Sequence, residues 1–222
     1  LQKAGADAFV SLDPAMLDNC DALVIPGGGP DIDPAYYGEE IAGSRDIDTP
    51  LDVVQWDIIN AAMDRGMPMF GICRGLQFVN IAFGGTAIQD TKAKIHHFVA
   101  DAPQTHQAWS VPGSFIEKLY GPEVIVNTAH HQALKHLADG MRVAQLWCAD
   151  PAQLPEKLKA AQDGTLRDLD DSCIAEAVYH DSYPFLGTQW HPELNEFFEG
   201  VTAEAMPMAE AFLNMIEREK EK

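Results

Sequence analysis

Short apolar runs alternate along this chain with longer stretches in which apolar residues recur every three or four positions. Ala22-Leu-Val-Ile25 is one compact run, and Met69, Phe70 and Ile72 form another behind Pro68. Runs this short, apolar on both faces, predict buried strands. Between them Leu51, Val54, Ile58 and Ala61 share one helical face. Thr49 as N-cap, Pro50 in the first turn and Asp52 in a capping-box position would open that helix, and Gly66 would end it. Leu76, Val79 and Phe83 predict a second helix, stopped by Gly84-Gly85. Strand, glycine loop, helix, strand, turn, helix is the order of an α/β protein with a parallel sheet.

After Gly85 the pattern changes. Across residues 95–111, His96, His97, His106 and Trp109 fall in a β-like alternation with Phe98 and Val111. Ser114 would cap a short helix over Phe115–Tyr120. Val124–Val126, Met141–Trp147, Cys173–Val178 and Phe185–Trp190 read as further strands. Residues 151–171 are polar and charged, with a helical stretch around Glu156–Ala161. This segment is expected to be a surface excursion, disordered rather than packed. Ala203–Lys222 closes the chain as a helix with Met208, Phe212 and Met215 or Ile216 as its stripe.

The 222 residues, 46% hydrophobic, suffice for one core, so one domain over residues 1–222 is expected. The chain starts at Leu1 in the manner of a mid-helix segment, and an amino-terminal strand is expected to be missing from it. Fifteen Lys and Arg against 34 Asp and Glu give a formal charge of −19. Such a field repels phosphate backbones and anionic lipid, so neither nucleic acid nor a membrane surface is expected as a partner. No apolar run is long enough to span a bilayer. Cys20, Cys73, Cys148 and Cys173 form no framework, and four reduced thiols in a cytoplasmic protein are expected. A homo-oligomer is left open.

Three stretches carry candidate chemistry. Gly71-Ile-Cys73-Arg-Gly75 puts a cysteine at a strand-to-helix turn between glycines, the sulfur counterpart of a nucleophile elbow. A helix N-terminus beside the sulfur favours thiolate. Gly27-Gly-Gly29 follows a strand and can expose backbone N–H groups; Asp31 and Asp33 and the missing G-K-[ST] argue against a phosphate loop and for an oxyanion-binding one. His191-Pro-Glu193 supplies a base and an orienting carboxylate, which extended backbone would place on one face. The five histidines His96, His97, His106, His130 and His131 match no ligand spacing, and no metal is expected.

These stretches, in this order, resemble the class I glutamine amidotransferase-like superfamily, and within it the γ-glutamyl-γ-aminobutyrate hydrolase-like branch. The resemblance rests on Ile25-Pro-Gly-Gly-Gly-Pro-Asp-Ile-Asp-Pro34, Gly71-Ile-Cys-Arg-Gly-Leu-Gln77 with Asn80 and Gly84-Gly85, Val126-Asn-Thr-Ala-His-His-Gln132, and Gly187-Thr-Gln-Trp-His-Pro-Glu193. It implies a three-layer α/β fold, flavodoxin-like, with a mostly parallel central sheet and a smaller antiparallel region. It implies Cys73 as nucleophile, His191 as base and later acid, and Glu193 as orienter. The oxyanion hole would be backbone N–H groups of Gly28 or Gly29 and of Arg74. Gln77, Asn127, His130 and His131 are the candidate substrate-binding residues. The expected reaction is cofactor-free hydrolysis of a small γ-glutamyl amide through a thioester. A glutaminase subunit feeding ammonia to a synthase and a non-catalytic binding member are the alternatives.

Overall fold

The computed structural model describes residues 1–97 and 104–222. Among the described residues, nine strands and five α-helices follow in chain order: β1 Leu23–Ile25, α1 Thr49–Asp64, β2 Met69–Ile72, α2 Arg74–Ala82, β3 Ala87–Ile88, β4 Gln104–Ser110, α3 Phe115–Tyr120, β5 Glu123–Thr128, β6 Ala133–Leu134, β7 Met141–Cys148, α4 Leu154–Gln162, β8 Cys173–His180, β9 Phe185–Thr188 and α5 Ala205–Lys220. Phe98, within the expected alternation, lies outside the described residues; within that stretch His96 ends a single 3₁₀ turn and β4 begins at Gln104.

Seven strands form one sheet in the order β1-β2-β9-β8-β7-β4-β5, and β3 pairs with β6 in a small second sheet. The sheet has two halves. β1, β2 and β9 run parallel, as the apolar runs with helical crossovers predict. From β9 onward every pairing is antiparallel, so the antiparallel region continues the same sheet.

Both faces of the sheet are covered, giving the three layers. Met69 packs with Ile58, Ile59, Leu76 and Val79 of α1 and α2, while the next residue, Phe70, packs with Met208, Phe212 and Ile216 of α5. Neighbouring residues of a strand point to opposite faces, so an all-apolar strand is one with a helix on each side.

Three local expectations need correcting. Thr49 is the first residue of α1; the cap is Asp48, whose carboxylate accepts from the Leu51 N–H at 3.1 Å. That frees Asp52 to turn inward. The 151–171 segment is not a disordered excursion: α4 packs on the sheet through buried Leu154 and Ala161, and Leu166 and Leu169 follow it into the core. Arg142 holds it by donating to the Gly164 carbonyl at 2.6 Å. Its apolar residues are spaced too unevenly to stand out among the charges. Finally, Cys148 and Cys173 stand directly opposite across β7 and β8, with Cα atoms 4.2 Å apart, and are paired; only Cys20 and Cys73 are free.

Candidate active site

The site lies where the carboxyl ends of β1, β2 and β9 meet, the usual location in open α/β sheets. Cys73 sits between β2 and α2 at φ 50°, ψ −109°. A side chain at positive φ is strained, and such strain concentrates at functional positions. The flanking glycines serve another purpose than turning: a Cβ at Gly75 would overlap the Ile25 carbonyl, and one at Gly71 would lie 2.7 Å from the Leu76 amide. They let β2, α2 and β1 close up beneath the sulfur. The Cys73 N–H is spent on the Thr188 carbonyl at 2.7 Å, tying the elbow to β9.

His191 follows β9 and precedes a 3₁₀ turn, Pro192–Phe197. The expected extended His-Pro-Glu is therefore wrong in its backbone; the turn itself brings Glu193 back. Its Oε1 lies 2.8 Å from His191 Nδ1. That leaves Nε2 on the side of the ring away from Glu193; the ring and Cys73 both flank Gly27. Burial works against a charge on this ring, but the Cys73 and Glu193 bonds outweigh it and push its pKa up to about 10. The favoured state of the ring is imidazolium. Glu193 is exposed while His191 is buried.

Gly27 threads between the two reacting groups. A Cβ there would overlap the His191 ring and stand 3.2 Å from Cys73 Cβ. Gly28 and Gly29 line the same cavity of about 560 Å³, with Arg74, Gln77, His130 and His131. Arg74 opens α2, so its N–H has no carbonyl partner within the helix.

The four expected recognition residues separate. Gln77 reaches the cavity, but its amide donates to the Gln132 carbonyl at 3.0 Å and to Gln189 Oε1 at 3.1 Å. His131 stands at the rim between Asp31 and Asp90, at 2.9 and 3.0 Å. The Asp31 hydrogen bond, more than the opposing burial, raises its pKa. His130 lines the wall with Nδ1 committed to the Gln132 carbonyl at 2.9 Å; burial lowers its pKa to about 4. Asn127 is not on the cavity. It is fully buried, donates to the His191 carbonyl at 2.7 Å and accepts from the His191 N–H at 2.9 Å. Its amide clamps the peptide of His191, which is a positioning task.

Sequence reasoning missed the network behind Arg74. The guanidinium donates to the Pro30 carbonyl at 2.7 Å, to Gln55 and to Asp52, all within the protein. Asp52 also accepts the Asp33 N–H at 2.9 Å. One buried ion pair thus moors the loop after Gly29 to α1 and to the elbow. A charged residue on the inner face of α1 was the available signal. A second buried group, Glu176 with His96, His106 and His130, was also missed because Glu176 lies in an otherwise apolar strand.

The fold and the cysteine elbow define a class I glutamine amidotransferase-like protein. By its sequence the chain belongs to the Peptidase C26 family, whose model matches residues 10–152. It is 30% identical, over 81% of its length, to the gamma-glutamyl-gamma-aminobutyrate hydrolase PuuD of Escherichia coli. It is 31% identical, over 78% of its length, to the glutamine amidotransferase-like protein YvdE of Lactococcus lactis. The chain spans 66% of the length of each of these two relatives. Among solved structures it shares the fold of the glutaminase domain of Trypanosoma brucei CTPS, with a TM-score of 0.56 and 17% identity over 92% of this chain and 74% of that one.

Proposed function

We propose that this chain is a thiol hydrolase that cleaves a γ-glutamyl amide to glutamate and a free amine. The observation that carries the reading is the Cys73 elbow at positive φ beside a His191 ring whose Nδ1 is bonded to Glu193 and whose pKa Cys73 and Glu193 together raise. The Cys73 thiolate attacks the side-chain carbonyl carbon. The oxyanion that develops is met by the N–H of Gly28 or Gly29 and that of Arg74. His191 gives its proton to the departing amine as the C–N bond breaks, leaving a γ-glutamyl thioester. The now neutral ring takes a proton from water; the hydroxide adds to the thioester carbon, the sulfur leaves, and glutamate is released. Asn127 keeps the ring at its station throughout by holding its peptide from both sides.

The relative named as a γ-glutamyl-γ-aminobutyrate hydrolase supports this substrate class. The likeness to a glutaminase domain favours a second reading, glutamine hydrolysis in the service of a partner synthase. A panel of γ-glutamyl amides with glutamate release as readout separates them. A free-standing hydrolase turns over γ-glutamyl-γ-aminobutyrate at least about tenfold better than glutamine, a difference of roughly 1.4 kcal/mol in the barrier. Glutamate release from glutamine alone overturns the first reading in favour of the second.

A further inference from the structure

We propose that His96, His130 and Glu176 form a binding site for a divalent transition-metal ion, zinc by donor chemistry, behind the His130 wall of the cavity. The three come from separate places: the 3₁₀ turn ending at His96, the residues just after β5, and the middle of β8. All are buried, and each offers a ligand atom within 4.8 Å of the other two. Zinc–nitrogen bonds of about 2.0–2.1 Å set neighbouring donors roughly 3.4 Å apart in a tetrahedron.

Hydrogen bonding decides what this pocket lacks. His130 Nδ1 faces the Gln132 carbonyl at 2.9 Å, which only accepts, so Nδ1 carries the proton and Nε2 a lone pair. The Thr128 hydroxyl donates to the His96 carbonyl, so it accepts from His96 Nδ1 at 3.2 Å, and His96 Nε2 is again a lone pair. Glu176 spends Oε1 on His106 Nε2 at 2.9 Å. His96 Nε2, His130 Nε2 and Glu176 Oε2 are then three buried acceptors with no partner among the described residues. A cation among the three residues offsets that surplus of buried acceptors. In metal sites the ligating imidazole characteristically donates its other N–H to a carbonyl or similar acceptor, the arrangement found here twice. Two imidazoles with one carboxylate select a first-row ion such as zinc over calcium or magnesium. His130 lines the cavity, which supplies an entry path. The ion takes no part in the thiol chemistry proposed above.

The test uses Cys73→Ala protein, so that the thiol contributes no ligand. After stripping with a chelator, Co²⁺ is titrated in, followed by Zn²⁺ as competitor. The expected result is one equivalent of Co²⁺ with the visible spectrum of a tetrahedral nitrogen–oxygen site, abolished by Zn²⁺, and a melting temperature several degrees higher with excess Zn²⁺. Glu176→Gln and His96→Gln each weaken uptake at least about tenfold. Should those variants fail to fold, zinc-edge X-ray absorption on the Cys73→Ala protein reads the same point, a shell containing two imidazoles. Absence of stoichiometric uptake, full uptake by a folded Glu176→Gln protein, or a shell without histidine overturns the proposal.

Discussion

Two buried ionic networks flank the cavity, and they are built on opposite plans. On the elbow side, Arg74 and Asp52 sit in a closed network: the guanidinium donates to Pro30, Gln55 and Asp52, and the carboxylate accepts from Arg74 and from the Asp33 amide. On the other side Glu176 faces three imidazoles, and one atom of each of the four residues has no partner among the described residues. A closed network leaves no valence for a ligand, so its product is position: the glycine loop, α1 and the elbow are locked together. An open one carries surplus acceptors at a desolvation cost that something else must offset.

The sharpest control for this contrast is the sulfur between the two networks. Cys73→Ala is expected to lower γ-glutamyl amide hydrolysis on the order of 10⁴-fold or more while leaving the melting temperature near that of the parent. Retained turnover would mean that neither network serves a thiol.

Asp52→Ala breaks the closed network by stranding a buried guanidinium. We expect about 3–5 kcal/mol of lost stability in denaturant melts, together with reduced turnover as the loop loosens. A cost under about 1 kcal/mol would show that Arg74 reaches water on its own, and the contrast would dissolve. Burial works against the charge on both partners, which is why the pair tolerates the loss of neither.

Asn127→Ala removes the clamp on the His191 peptide. Its effect should fall mainly on kcat, by about 10–100-fold, because misplacing a base costs rate more than binding. An equal rise in KM with unchanged kcat would instead return Asn127 to substrate recognition.

The smallest effect expected concerns pH. The folded pKa of His191, pushed up to about 10, exceeds its ordinary value of 6.5. Its bonds therefore contribute fully to stability below pH 6.5, and that contribution is lost as pH rises through about 10. Glu193→Gln weakens one of those bonds, so the melting-temperature gap to the parent should be widest near pH 6 and close toward pH 10. A gap that widens with pH would contradict an imidazolium resting state.

The parallel half of the sheet was legible because each of its determinants is local. Apolar runs buried on both faces, a helix of even spacing and the Gly71–Gly75 turn follow from a few residues' own preferences. The resemblance of these stretches to one superfamily adds the expected identity of the site. The backbone of His191-Pro-Glu193 was misread for the same local reason: an extended and a 3₁₀ path both bring the carboxylate to the ring, and the segment alone does not choose between them.

Residue order alone determined the α/β plan, the cysteine elbow and the presence of a histidine–carboxylate pair. Only the tertiary structure decided where buried charges end up. Asp52 reads as a capping residue until α1 is set against the elbow, Asn127 reads as a recognition residue until β5 is set beside His191, and Glu176 means little until β8 meets the His96 turn. Such partners are far apart along the chain, and a buried charge keeps its place only where distant groups answer it.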